Sequence, residues 1–132
     1  MPTSENQIYL IAHNIRSLHN VGSVFRSAES FGVTKLYLTG YTGTPTGHNV
    51  SKIAKVALGT EELVPWEKKQ SLSRVIKQLQ AKGIKVFALE NNIAYKTKIL
   101  PISKISYPIA ILLGEETKGI TKKILDLVDE IV

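Results

Sequence analysis

Short runs of strand-forming residues alternate with segments of helical periodicity along nearly the whole chain. No other property of the sequence restricts the fold as much. Ile8–Ala12, Lys35–Thr39, Glu62–Trp66, Ile84–Leu89 and Pro108–Leu113 read as strands. Between them, Asn20 is positioned to cap a helix running to about Phe31, with Val24, Ala28 and Phe31 on one face and Gly32 as its stop. Val50 to Leu58 returns to helical spacing, ended by Gly59. Ser71 to Lys82 is amphipathic through Leu72, Val75, Ile76 and Leu79, with Gly83 closing it. Thr121 caps a last helix to about Val128, and Glu130-Ile131-Val132 opens a sixth strand. Strands separated by helices imply βαβ units, hence an α/β fold with a mostly parallel sheet and helices on both faces. Pro108–Leu113 is almost wholly apolar, as a strand buried on both faces must be. Pro65 assigns its own strand to an edge. Ligands in such sheets sit beyond the carboxyl ends of the strands, so chemistry is expected after strands one, four and five.

At 132 residues the chain is long enough for one domain with a real core, and residues 1–132 are read as a single domain. Seventeen basic residues against eleven acidic ones give a formal charge of +6, which suits a polyanionic partner. Fourteen of the basic residues are lysines, strewn rather than blocked, so a lysine-rich solvated surface explains them as well. The absence of cysteine excludes a disulfide framework and thiolate metal sites, and fits a cytoplasmic setting. The first seven residues lack the basic and apolar regions of a signal peptide, and no apolar run approaches the ~20 residues that span a bilayer. No membrane partner is expected. His13, His19 and His48 have neither carboxylate partners nor helical spacing, so no metal site is expected.

Two patterns carry the candidate chemistry. The first is Asn20-Val21-Gly22-Ser23-Val24-Phe25-Arg26, continuing to Gly32. Asn20 and Arg26 read either as a helix cap and a surface arginine, or as donors of a phosphate site joined by His13, Arg16 and His19. The second is Gly114-Glu115-Glu116-Thr117-Lys118-Gly119-Ile120 after the buried strand. It is either a plain strand-to-helix turn or one whose glycines let the backbone approach a ligand. It meets neither the dinucleotide pattern nor the P-loop pattern. Trp66 and the tyrosines are open to base stacking or to core packing.

Taken in order, the two patterns resemble the first and second motifs of the SpoU (TrmH-like) branch of the SPOUT RNA methyltransferases. Asn20, Gly22, Arg26, Ala28 and Gly32 match the first motif; Gly114, Glu116, Gly119 and Ile120 match the second. Lys52–Glu61 and Val64-Pro65-Trp66 resemble the family's middle, and Phe87-Ala88-Leu89-Glu90 resembles its cofactor-contacting strand end. The resemblance runs from Ile8 onward. It implies the α/β-knot fold, methyl transfer from S-adenosylmethionine to a ribose 2′-hydroxyl of tRNA or rRNA, and a homodimer.

By the same resemblance Arg26, Asn20 and Glu116 form the catalytic set. Leu89, Glu90, Leu113, Gly114, Gly119 and Ile120 bind the cofactor, and Arg16, His19, Arg26 and Lys52 bind RNA. The family's third motif, a strand, a Ser-Leu-Asn-Val-Ser-like turn and a final helix, has no counterpart before Val132. The 132 residues alone are therefore expected to form the fold without the knot-closing segment and to bind cofactor weakly. The rival readings are a non-catalytic RNA-binding remnant of this fold and a small Rossmann-like nucleotide-binding or interaction domain.

Overall fold

A computed structural model describes residues 7–89, 107–115 and 119–132. Its described elements are β1 (Ile8–His13), α1 (Leu18–Ser30), β2 (Lys35–Thr39), α2 (Val50–Ala57), β3 (Trp66–Lys69), α3 (Leu72–Ala81), β4 (Lys85–Ala88), β5 (Ile109–Leu113), α4 (Lys122–Leu125) and β6 (Glu130–Ile131). The six strands form one sheet in the order β3-β2-β1-β5-β4-β6, and every pairing is parallel. β1 pairs with β2 on one side and β5 on the other, Ala12 lying opposite both Leu38 and Leu113. The strand order therefore reverses direction between β1 and β5, and in such sheets the ligand crevice lies beyond the carboxyl ends of the strands at that switch point.

The sheet is covered on both faces, as the alternating pattern requires. Leu10 and Ala12 of β1 join Val21, Phe25, Ala28, Leu36, Leu38, Ile53 and Ala57 under α1 and α2. Ile11 points the other way, to Leu72, Val75, Ile76, Leu79, Val86, Leu112 and Leu125 under α3 and α4. α1 and α2 pack closely at Gly22. A β-carbon there would lie 2.7 Å from the Ile53 carbonyl oxygen and 2.8 Å from Val56 Cβ, so any side chain would push the helices apart. The first-motif glycine is thus a packing residue.

Several boundaries differ from the sequence reading. α1 starts at Leu18, two residues before Asn20, because Ser17 has the extended backbone of a cap and its hydroxyl accepts from Asn20 N at 3.2 Å. Asn20 is therefore a first-turn residue. The buried face is Val21, Gly22, Phe25 and Ala28, whereas Phe31 is 76% exposed beyond the helix end. The third strand lies at Trp66–Lys69, after the Pro65 region rather than within Glu62–Trp66. Residues Thr60–Glu62 form a 3₁₀ turn, begun by Thr60 Oγ1 donating to Ala57 O at 2.6 Å. β3 is nevertheless an edge strand, as Pro65 suggested.

Its polar sequence is held by parallel pairing with β2 and by Glu67, which lies 2.5 Å from Lys35 Nζ and 2.8 Å from Lys69 Nζ. Hydrogen bonds from Lys35 and then Lys69 lower the Glu67 carboxyl to about 2. The last helix is shorter than expected, although Thr121 does cap it. The chain then turns at Asp129, whose carboxylate accepts from Val86 N at 2.8 Å and seats β6 beside β4.

Candidate active site

The crevice beyond β1 and β5 is framed by loops from three strands. β1 ends at His13, and Asn14 follows with φ at 55°, a left-handed conformation that asparagine tolerates well. Its side-chain oxygen accepts from Tyr41 N at 3.0 Å, tying the β1 loop to the β2 loop. His13 Nδ1 lies 2.9 Å from Thr39 Oγ1. Tyr41 then reaches across the switch point, its hydroxyl donating to Glu115 Oε2 at 3.0 Å. The Arg16 guanidinium stands over the same ring, 5.9 Å from its centre. Residues from the β1, β2 and β5 loops thus meet at one place. Of these, the sequence reading named Arg16 as an RNA contact and His13 as a further donor of the same loop, left Tyr41 among tyrosines open to base stacking or core packing, and missed Asn14 and Glu115 as site residues.

The cofactor residues expected from the second motif also gather at this edge. Leu113 ends β5, and Gly114 begins the turn. A β-carbon on Gly114 would sit 2.5 Å from Ile120 Cγ1 and 3.3 Å from the Gly119 carbonyl, so the turn folds back tightly on itself. Gly119 N donates to Glu115 O at 2.9 Å, closing it. Ile120 is 4% exposed and lies in the core, so its side chain anchors the turn. Leu89, 46% exposed at the end of β4, donates its backbone N–H to Leu112 O at 3.1 Å and stands beside the turn. An exposed leucine next to a glycine-bounded backbone turn suits an adenosine-bearing cofactor, which needs an apolar surface and backbone hydrogen bonds. Glu90 and Glu116 lie outside the described residues.

The first-motif residues are arranged differently. His19, Ser23, Arg26, Ser27 and Ser30 follow one another at helical spacing along the exposed face of α1. Ser23, Arg26, Ser27, Ser30 and Phe31 line a shallow groove there. A guanidinium flanked by three hydroxyls is a set of donors for phosphate or sugar oxygens. α1 connects two parallel strands, so it runs away from the carboxyl edge, and Arg26 lies about 12 Å along the axis from Leu18 at 1.5 Å per residue. Arg26 thus stands about two turns along α1 from the carboxyl edge of the sheet. Lys52 is exposed on α2. The three serines were missed in the sequence, although their spacing from Arg26 was there to be read.

His13 supplies a pH-dependent element beneath the site. Burial, and then the positive charge of Lys68, hold its imidazole below the ordinary value of 6.5. Between the lowered value and 6.5 the unfolded chain binds more protons than the folded one. Stability therefore rises with pH across that window and is lost as pH falls through it. The thermal unfolding midpoint is expected to drop on acidification below 6.5, and His13→Gln to flatten that part of the profile. A profile unchanged by the substitution would show that His13 takes up its proton equally in both states.

The model of the SpoU rRNA Methylase family matches residues 7–132. The chain belongs to this family. Among curated SpoU relatives, it is 26% identical over 129 residues to the 23S rRNA (guanosine-2′-O-)-methyltransferase RlmB of Photobacterium profundum, covering 98% of this chain and 50% of that protein. It is 32% identical over 118 residues to RlmB of Coxiella burnetii, covering 87% and 44%. The chain spans about half the length of the curated relatives it matches.

The same fold occurs in the SpoU methyltransferase AviRb of Streptomyces viridochromogenes, solved in complex with AdoMet, at a TM-score of 0.80 and 20% identity over 99% of this chain and 49% of that one. It occurs again in an rRNA methyltransferase of Sinorhizobium meliloti, at 0.80 and 19%, covering 99% and 48%. The SPOUT-type parallel architecture expected from the sequence is therefore present. No helix among the described residues is long and apolar enough to cross a membrane.

Proposed function

We propose that this chain is the methyltransferase domain of an RNA-modifying enzyme that transfers a methyl group from S-adenosylmethionine to a ribose 2′-hydroxyl of tRNA or rRNA. The observation that carries the reading is the match of the SpoU family model to residues 7–132, with both motifs held on one α/β scaffold. The sulfonium donor supplies an already activated methyl group, which leaves alignment and charge to the protein. The turn from Gly114 to Ile120, with Leu113, Leu89 and Glu90, holds the cofactor. Arg26 stabilises the oxyanion that develops on the ribose, Asn20 orients the arginine or the nucleotide, and Glu116 fixes the second-motif loop. Arg16, His19 and Lys52 contact phosphates.

The reading includes a homodimer, since Arg26 stands about two turns along α1 from the carboxyl edge that carries Gly114. In that arrangement the α1 face of one protomer serves the turn of its partner. RNA modification of this kind places the protein in the cytoplasm. The experiment is methyl transfer from tritiated S-adenosylmethionine to RNA. It is run with the 132 residues and with a form extended by the strand, turn and helix of the third motif. A 2′-O-methylnucleoside from the extended form is expected; label in neither RNA preparation would overturn the reading.

A further inference from the structure

Tyr41 is held with unusual thoroughness for an exposed residue. Its backbone N–H donates to the Asn14 side chain at 3.0 Å. The carbonyls on either side of it, Gly40 O and Thr42 O, both accept from Lys68 Nζ, at 2.5 and 2.7 Å. Thr42 is itself 1% exposed, with its hydroxyl 2.7 Å from Thr39 O and 3.0 Å from Ala12 O while accepting from Ile15 N at 3.1 Å. Three strands thus contribute polar groups to fix this one segment, and burial lowers the Lys68 ammonium as part of the arrangement.

The residue so fixed is not buried: Tyr41 is 51% exposed. Its hydroxyl is aligned by Glu115, and the Arg16 guanidinium lies over the ring. Packing does not require a rigid backbone under a solvent-facing aromatic ring. A planar ligand that must be received in one orientation does, because preorganisation reduces the ordering cost of binding.

We propose that Tyr41 is a stacking platform for an unpaired base of the RNA substrate. The proposal rests on the RNA-methyltransferase reading above and adds to it the residue that receives the base. Stacking on an aromatic face is the usual way proteins hold splayed bases, and a neighbouring arginine meets the adjoining phosphate. The net charge of +6 favours a polyanion over a neutral or basic protein surface. The bond from Tyr41 to Glu115 sets the platform beside the turn after β5, so a stacked nucleotide lies next to the residues assigned to the cofactor. The ring would contact a base directly, whereas Asn14, Thr42 and Lys68 act through it as positioning residues.

The test is binding of a fluorescently labelled, mixed-sequence single-stranded oligoribonucleotide to the 132-residue chain across a salt series. Tyr41→Leu is expected to weaken binding about tenfold at every salt concentration without changing the salt slope. Tyr41→Phe is expected to stay within about twofold of wild type, because it keeps the ring and loses only the hydroxyl. Arg16→Ala is expected to lower the slope by about 0.7, the change for one phosphate contact on a single strand. A 5-iodouridine oligonucleotide should photocrosslink to Tyr41. Thermal melts of both tyrosine variants check that they fold. Wild-type affinity in Tyr41→Leu overturns the platform alone. So does a Tyr41→Phe variant as weak as Tyr41→Leu, which assigns the residue to holding Glu115. No RNA binding by the wild type overturns the RNA reading and the platform with it.

Discussion

Arg26→Ala is expected to lower the rate of methyl transfer about a hundredfold or more, the usual cost of removing one donor that stabilises a developing oxyanion. Single-turnover kinetics with the form extended by the third motif measures it. The substitution should leave stability within about 0.5 kcal/mol of wild type, because the side chain lies on the exposed face of α1 and packs into neither core. Near-normal single-turnover rates would remove Arg26 from the catalytic role. A fall in both rate and thermal midpoint would place it among the structural residues instead.

The preceding residue is expected to behave in the opposite way. Phe25 is 0% exposed and is the largest fully buried side chain among the described residues, wedged between α1 and the sheet beside Val21, Leu36 and Leu38. Phe25→Ala should cost about 3–5 kcal/mol through lost burial and the cavity left behind. Against a total of about 5–15 kcal/mol for a domain, that approaches unfolding. Chemical denaturation followed through Trp66 fluorescence reads the effect. A loss below about 1 kcal/mol would mean that this core relaxes around the gap. Two adjacent residues would then separate by function, Phe25 by stability and Arg26 by rate, because successive positions on a helix face different surroundings.

Much of the architecture was legible because burial imposes periodicity. The near-continuous apolar run Ile109–Leu113 announced a central strand, and the spacing Leu72, Val75, Ile76 and Leu79 announced α3 and its buried face. Where local chemistry competed, the reading slipped. Asn20 and Ser17 are both good caps, and only the backbone shows that Ser17 has the extended geometry. β3 is Trp-Glu-Lys-Lys, a sequence with no strand signature, stabilised by its neighbour β2 and by charges on Lys35 and Lys69. Propensity carries no trace of such partners.

The candidate site divides along the same line. Contiguous motifs exposed Arg26 and the Gly114–Ile120 turn, because the resemblance rests on consecutive residues. The tie between Tyr41 and Glu115 joins positions 74 residues apart, and Lys68 reaches Gly40 and Thr42 from another strand. Such contacts follow from the strand order, which places β3, β2, β1 and β5 side by side. The order in which parallel strands assemble is not written in any local pattern, so nothing in the sequence separated Tyr41 from the other tyrosines, all open to stacking or to packing, until the sheet placed it at the switch point.

Methyl transfer to the ribose of RNA is read most directly by nucleoside analysis of the labelled product. The extended protein is incubated with tritiated S-adenosylmethionine and ribosomal or transfer RNA, and the RNA is digested to nucleosides and separated. Label is expected to co-migrate with a 2′-O-methylnucleoside, and Arg26→Ala to remove most of it. Label on a base, or none in RNA while wild-type protein is folded and cofactor is bound, would contradict methyl transfer to the ribose.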